Sequence, residues 1–205
     1  DRGHNFGKLD LTGILKNSSN VGTSKLALSL PKEHFVNLDL DVGFGADTGT
    51  GLIGESSGIF HERGRWSDHE IATLSFGYAV SVTNLQLNRF YNMLGNGGGL
   101  RPLSILKTLA PTEGERVISE FTAKSVVSMM ESVVQPDGVK RAQVPGYRVA
   151  GKTGTAYKAA SGGYSEDVVV LFAGIAPVSN PRVAITVMVD NPKGDLYSGG
   201  EVAAP

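Results

Sequence analysis

The sequence has no cysteine and only four histidines among its 205 residues. The lack of cysteine excludes disulfides, thiolate catalysis and cysteine-based zinc sites. The histidines form neither an H-E-x-x-H pattern nor a close pair, so a histidine-rich metal site is not expected. The four are His4, His34, His61 and His69. We therefore predict that the protein uses no metal.

Long apolar runs and an excess of one charge are also missing. No stretch of 18 apolar residues occurs, so no membrane-spanning segment is expected. The sequence also does not begin with basic residues followed by an apolar stretch, so no signal peptide is predicted in it. The chain has 19 basic and 20 acidic residues, a balance that argues against nucleic-acid binding because such proteins concentrate positive charge. Because the first residue is Asp1 rather than methionine, we expect a piece of a longer protein.

What is present is the composition of a folded globular protein. Hydrophobic residues make up 40% and charged residues 19% of the chain, which is typical of a domain with its own core. The length corresponds to one or two domains. The 27 glycines predict many turns and close approaches of backbone segments.

The hydrophobic pattern changes along the chain from helical to strand-like. Residues 8–134 show helical spacing in several segments, and Ser67 followed by Glu70 is typical of a capping box. Residues 147–190 are strand-rich. Within them, 168–176 and 183–189 are apolar runs joined by a Pro-Asn turn, which predicts two buried antiparallel strands. We therefore predict an α+β fold in which helices pack on an antiparallel sheet.

Two short motifs carry polar side chains that could do chemistry. The first is Ser18-Ser19-Asn20 at a helix–loop junction, a pattern that alone indicates no more than a cap or a turn. The second is Lys152-Thr153-Gly154-Thr155. Together with the residues before it, the second motif also matches the phosphate-loop pattern G-x-x-x-x-G-K-[ST] from Gly146 to Thr153.

The context of that match argues against a nucleotide site. A phosphate loop needs a buried strand before the first glycine and a helix after the lysine. Here a polar segment ending in Pro145 precedes the pattern, and the glycines at 154, 162 and 163 leave little room for a helix. Residues 187–190 do resemble the apolar strand ending in Asp that holds magnesium in such proteins. We retain nucleotide binding as a weaker alternative.

The preferred interpretation places the second motif on a sheet edge that faces a cleft. Gly154 has no Cβ, so the backbone of an extended peptide could approach and pair with the strand. Lys152 would supply a positive charge, and the hydroxyls of Thr153 and Thr155 would hydrogen-bond a carboxylate. A backbone N–H of this strand could face a developing oxyanion.

An S-x-N followed much later by K-T-G resembles the penicillin-binding proteins and serine β-lactamases. The segments 13–22, 75–87 and 197–205 are also similar to class B members, so most of the chain resembles the transpeptidase domain of the division-specific class B penicillin-binding protein of Gram-negative bacteria. Asn84 stands where this family usually has Pro, and Ala79 where it usually has Gly. The resemblance implies the penicillin-binding-protein/β-lactamase-like fold, present here as part of one domain.

The resemblance implies acyl transfer through a serine ester to crosslink peptidoglycan stem peptides that end in D-Ala-D-Ala. In that scheme Ser18 passes a proton to the leaving nitrogen, and Asn20 holds the acyl-side backbone of the substrate. Lys152 binds the terminal carboxylate with Thr153 and Thr155, and the Thr155 N–H is half of the oxyanion hole. β-Lactams would acylate the same serine, and no cofactor is implied. Division-complex partners and a place on the periplasmic face of the inner membrane, through an N-terminal anchor outside this chain, follow by resemblance only.

The family's nucleophile, the serine of S-x-x-K, precedes S-x-N by several dozen residues, whereas only 17 residues precede Ser18. The strings at 29–32 and 104–107 match S-x-x-K but follow S-x-N, the wrong order. We expect that the nucleophile lies outside this chain and that the chain alone is not acylated by penicillin. A non-catalytic peptidoglycan-binding or division-scaffold module stays open. So does a serine β-lactamase, since Glu113, Glu115 and Glu120 are candidates for a deacylating base.

Overall fold

The computed structural model describes residues 1, 3–60, 63–110 and 112–205. Six α-helices occur in these residues, separated by loops and followed by a sheet. They are α1 (Leu11–Asn17), α2 (Asn20–Leu28), α3 (Lys32–Asp41), α4 (Asp68–Leu74), α5 (Asn84–Gly95) and α6 (Glu120–Glu131). At the end of the part predicted to be helical, α6 ends at Glu131 and the chain continues as the 3₁₀ turn Ser132–Val134.

The strands form one short pair and one three-stranded sheet. Strands β1 (Gly99–Leu100) and β2 (Glu115–Arg116) pair inside the part of the chain that was predicted to be helical. The larger sheet is an antiparallel meander in the order β3-β4-β5, in which β3 and β5 lie at the edges. Its strands are β3 (Ala150–Ala160), β4 (Gly163–Ala176) and β5 (Val183–Asp190). The α+β prediction is confirmed, although β4 is longer than the apolar run at 168–176 indicated.

Polar side chains before the helices determine where several of them begin. Ser67 accepts a hydrogen bond from the Glu70 backbone while the Glu70 side chain accepts one from the Ser67 backbone, so the predicted capping box is present. Thr83 and Gln86 form the same arrangement before α5. The buried Gln86 amide also donates to the carbonyls of residues 43, 46 and 57. One side chain therefore joins a helix start to the long irregular segment before α4.

Successive residues of a strand point to opposite sides, and the central strand β4 packs against other segments on both faces. On one face, Ile175 of β4 and Ala150 of β3 pack against a core that includes Met93 and Met130 of α5 and α6. On the other face, Val170 and the neighbouring apolar residues of β4 pack against the segments after α6 and the π-helical turn Gly199–Ala203. A separate cluster around Ile71 joins α2, α3 and α4.

The helical cluster meets the sheet through polar contacts as well as through its core. Lys16 of α1 forms an ion pair with Asp137 at 2.6 Å. Arg148, just before β3, forms a bidentate ion pair with Glu131 at the end of α6, with N–O distances of 2.6 and 2.7 Å. These contacts attach α1 and the start of β3 to the same region around the end of α6. The end of α1 therefore lies close to the first residues of β3.

Replacing Ile175 by Ala is expected to lower the free energy of unfolding by about 2–5 kcal/mol, because a large buried side chain leaves a cavity. Ile175 is 1% exposed. Ile105→Ala, in an exposed loop, is the matched control and is expected to change stability by less than about 0.5 kcal/mol. Urea unfolding followed by circular dichroism measures both. Equal losses for the two variants would contradict the described core.

Candidate active site

The Ser18-Ser19-Asn20 motif is the tight junction between α1 and α2. Ser18 ends α1 in the left-handed conformation, with φ 51° and ψ 46°, which is uncommon for a residue with a Cβ. Ser19 is buried and caps α2 by accepting a hydrogen bond from the Gly22 N–H at 3.0 Å. Ser18 and Asn20 are exposed on either side of it. The middle residue therefore anchors the turn and the outer two present their side chains to solvent.

The structure brings Lys152 to this turn from the other end of the chain. The Lys152 Nζ donates to the Ser18 Oγ at 2.9 Å, across 134 residues of sequence, and to the Thr153 carbonyl at 3.1 Å. Lys152 lies on β3, an edge strand, as the sheet-edge interpretation required. The hydroxyl and the ammonium group thus meet beside a strand whose outer edge is unpaired within the described residues.

Burial lowers the pKa of Lys152 to about 8. The cause is desolvation, because removing the ammonium group from water disfavours its charged form. At neutral pH most of the side chain remains charged, yet its proton is held less tightly than that of an ordinary lysine. The group can therefore attract an anion and also exchange a proton with the Ser18 hydroxyl.

The residues after Lys152 offer polar groups along the same strand. The Thr155 Oγ1 accepts a hydrogen bond from the Gly199 N–H at 3.2 Å. A hydroxyl that accepts from a backbone N–H keeps its own hydrogen free to donate elsewhere. A Cβ placed on Gly154 would lie 3.5 Å from the Leu171 side chain, which is ordinary contact. Packing inside the described chain therefore does not require glycine at 154, which agrees with a role in close approach by a ligand.

Asn20 is the third group of the site. It is the first residue of α2, and its side chain is exposed and makes no hydrogen bond to any described residue. An amide has two N–H donors and one carbonyl acceptor, which matches the donor and acceptor of a peptide unit. The geometry leaves this amide available two positions after the hydroxyl that contacts Lys152.

An aromatic contact that the sequence did not reveal joins the helical part to the β3–β4 hairpin. Tyr78, in the loop after α4, packs edge-to-face on Tyr164 at the start of β4, with ring centroids 5.3 Å apart. Phe76 also packs edge-to-face on Tyr78, with ring centroids 5.8 Å apart. No local pattern links residues so far apart in sequence, so only the tertiary structure shows the contact.

The nucleotide alternative does not fit the structure. The Gly151-Lys152-Thr153 segment lies inside β3, and the chain continues as a strand to Ala160, with no helix after the lysine. The Asp190 carboxylate, which was compared with a magnesium ligand, forms an ion pair with Lys158 at 2.6 Å. A phosphate loop needs a helix N-terminus for the anion, so this arrangement is wrong for nucleotide binding.

The two S-x-x-K strings do not pair their serine with their lysine. Ser29 donates to the Leu26 carbonyl at 2.7 Å, while Lys32 forms an ion pair with Asp68 on another helix. Ser104 donates to the Leu106 carbonyl at 2.8 Å in an irregular segment. Neither string therefore has a hydroxyl activated by its lysine.

The remaining candidate groups also lie apart from the site. Glu120 forms an ion pair with Lys124 one helical turn away, and neither Glu113 nor Glu115 hydrogen-bonds Ser18 or Lys152. The described residues contain no cluster of His, Asp and Glu that could hold a metal. His61 lies outside the described residues.

Gly199→Ala is expected to disturb the site, because a Cβ there would fall on the Leu171 carbonyl and 2.6 Å from the Gly154 carbonyl. Gly200 is the matched control, since a Cβ on it would meet its nearest neighbour at 3.5 Å. We expect Gly199→Ala to lower the melting temperature by several degrees, on the order of a 1–3 kcal/mol overpacking cost, and Gly200→Ala to leave it nearly unchanged. Calorimetry measures the melting temperatures of both variants. Equal melting temperatures would contradict the close contact of Gly199 with the backbone of Gly154 and Leu171.

Ser18→Ala is expected to lower the pKa of Lys152 below about 8. The Ser18 oxygen accepts from the charged ammonium group, and loss of an acceptor for the charged form favours the neutral amine. A pH titration of the labelled lysine by NMR measures the shift. Ser29→Ala serves as the control, and an unchanged pKa of Lys152 in the Ser18→Ala variant would contradict the contact.

Comparison with known proteins gives a consistent result for this arrangement. The family model described as the penicillin binding protein transpeptidase domain matches residues 1–205. Peptidoglycan D,D-transpeptidase FtsI of Escherichia coli K12 is 48% identical over 98% of this chain and 34% of that protein. The protein of the same name from Buchnera aphidicola (Schizaphis graminum) is 47% identical over 97% of this chain and 35% of that protein. The chain thus spans about a third of the length of these curated relatives.

A solved structure extends the likeness to three dimensions. The apo TP domain of penicillin-binding protein 3 from Burkholderia pseudomallei superposes with a TM-score of 0.91 at 40% identity, covering 96% of this chain and 61% of that one. On these grounds the chain belongs to the penicillin-binding protein transpeptidase family.

Proposed function

We propose that the protein carrying this chain is a peptidoglycan D,D-transpeptidase of septal wall synthesis. It would join two stem peptides by acyl transfer through a serine ester, with loss of a terminal D-Ala. The observation that carries the proposal is the Lys152–Ser18 hydrogen bond beside Asn20, at the edge of β3. The names of the related proteins support the same activity.

The edge of β3 suits an extended peptide substrate. A peptide that lies along an edge strand can pair with the outward-pointing N–H and C=O groups of that strand. Side-chain groups near the strand then recognise the ends of the peptide. Gly154 leaves room for this approach. The Asn20 amide would hold the acyl-side peptide unit from the opposite wall. The Thr155 N–H would donate to the oxyanion of the tetrahedral intermediate, as one half of the oxyanion hole.

The terminal carboxylate of the substrate would bind at Lys152, Thr153 and Thr155. The Lys152 ammonium supplies the charge, and the Thr155 hydroxyl has a hydrogen to donate because it accepts from Gly199. Hydrogen bonds between an anion and a charged or hydroxyl donor are short and strong. A strand with Lys152 between small residues would in this way prefer a peptide with a free carboxyl end.

Ser18 and Lys152 would move the proton that the leaving amine needs. Ser18 accepts a hydrogen bond from Lys152, so its own hydrogen can point toward the leaving nitrogen while the lysine reprotonates the hydroxyl. A general acid works best when its pKa lies near the working pH, and the Lys152 pKa of about 8 meets that condition. The nucleophilic serine and its lysine would come from outside residues 1–205.

The partners follow from the same proposal. The substrates would be stem peptides ending in D-Ala-D-Ala, and β-lactams would acylate the nucleophile because they resemble that end. The protein would bind other proteins of the division complex and would act at the periplasmic face of the inner membrane. Among the residues that the structure describes, no helix is both long and apolar enough to cross a bilayer.

Lys152→Met in the complete protein is expected to slow acylation by a fluorescent penicillin about 100-fold or more, the cost of losing one donor to the reacting groups. Lys158→Met is the matched control on the same strand. Its exposed ion pair with Asp190 contributes little, so acylation should stay within about threefold. Gel fluorescence against time measures the rates.

Residues 1–205 alone serve as the companion sample and are expected to remain unlabelled. Covalent labelling of Ser29 or Ser104 would contradict the placement of the nucleophile outside this segment. Complete protein that binds penicillin without forming a covalent ester would instead point to a non-catalytic binding module. An ester that hydrolyses rapidly would favour a β-lactamase.

A further inference from the structure

The turn that holds Ser18 and Asn20 is tied to a carboxylate far from it in sequence. The Asp1 Oδ2 accepts a hydrogen bond from the Ser19 hydroxyl at 2.8 Å, and the Oδ1 accepts from the Val21 N–H at 3.3 Å. The two oxygens of one carboxylate therefore contact the residues on either side of Asn20. Neither the S-x-N motif nor the K-T-G motif includes this residue.

The first of these bonds fixes the orientation of the Ser19 hydroxyl. Ser19 is 3% exposed, and its oxygen already accepts from the Gly22 N–H. Because the hydroxyl donates to Asp1 at the same time, both its donor and one acceptor position are used. The Ser19 N–H in turn donates to the Ile14 carbonyl at 3.1 Å. The residue between Ser18 and Asn20 is thus held through backbone and side chain together.

The second bond gives a partner to a backbone N–H group at the start of α2. The first N–H groups of a helix have no partner within it, and a negative charge near them is favourable. No acidic residue lies in the first turn of α2. Asp1 supplies that charge from outside the helix and accepts from one of the free N–H groups, at Val21.

The residue before the anchored Ser19 has a left-handed backbone conformation. Ser18 lies in the left-handed region, and such residues persist only where the surroundings hold them. A Cβ on Gly22 would lie 2.8 Å from the Ile14 side chain, so α1 and α2 approach closely at this point. Loss of the Asp1 carboxylate would remove the hydrogen bonds that hold Ser19 and Val21 from outside the two helices.

We propose that Asp1 is a positioning residue for the active site, which sets the Ser18 hydroxyl and the Asn20 amide through Ser19 and Val21. The inference rests on the proposed function, since those two groups act on the acyl substrate there. Asp1 itself touches no reacting atom. It acts by holding the Ser18 and Asn20 side chains in position relative to Lys152. A misplacement of reacting groups by about 1 Å costs on the order of 10²-fold in rate.

The test compares Asp1→Ala with Asp10→Ala in the complete protein. Asp10 is a matched control because its carboxylate also caps a helix of this pair, accepting from the Gly13 N–H at 2.7 Å, but it does not contact the S-x-N turn. Acylation by a fluorescent penicillin is measured by stopped flow, with rates divided by the number of active sites titrated. Dividing by titrated sites removes the effect of any unfolded fraction.

We expect Asp1→Ala to slow the limiting acylation rate per site at least tenfold, and Asp10→Ala to stay within about twofold. Asp1→Glu, which keeps a carboxylate, should recover part of the rate. Equal effects of the two alanine variants, or a normal rate in Asp1→Ala, would overturn the positioning role alone. Wild-type protein that forms no acyl-enzyme would instead overturn the proposed function, so the two failures are distinguishable.

Discussion

The contact between the Lys152 ammonium group and the Ser18 hydroxyl is the interaction on which the site depends. It joins the helical part of the chain to the edge strand of the sheet across 134 residues. Partial burial of the lysine lowers its pKa, so the same contact gives a cation that attracts a carboxylate and a proton that can move. The ion pairs of Lys16 and Arg148 attach the two sides of this contact to the region around the end of α6.

Glycines and small residues on β3 and next to it allow other segments to approach the strand closely. A Cβ on Gly151 would fall 2.6 Å from the Phe172 ring, and one on Gly199 would fall on the backbone of Gly154 and Leu171. The chain after β5 can therefore lie directly against the strand and donate to Thr155. The edge of β3 that does not pair with β4 has no strand partner within the described residues, so it is open to an extended ligand.

Sequence reasoning located most helices and the two motifs, because caps and apolar spacing are local. It identified the Ser67 capping box and the hairpin of β4 and β5. Two departures from the family pattern also have local explanations. Ala79 has a φ of 64°, where glycine is favoured, and Asn84 is the first residue of α5, where proline is favoured. The sequence did not predict the β1–β2 pair, the Tyr78–Tyr164 contact or the anchoring of Ser19 by Asp1.

The sequence by itself determined the helical and strand-rich parts of the chain, the capping box before α4 and the presence of a lysine between small residues in the strand-rich part. These features depend on neighbours within a few positions, which is the range of caps, turns and periodicity. Only the tertiary structure decided that Ser18 contacts Lys152 and that burial lowers the lysine pKa. The contact depends on packing between segments more than 100 residues apart, which no local pattern encodes.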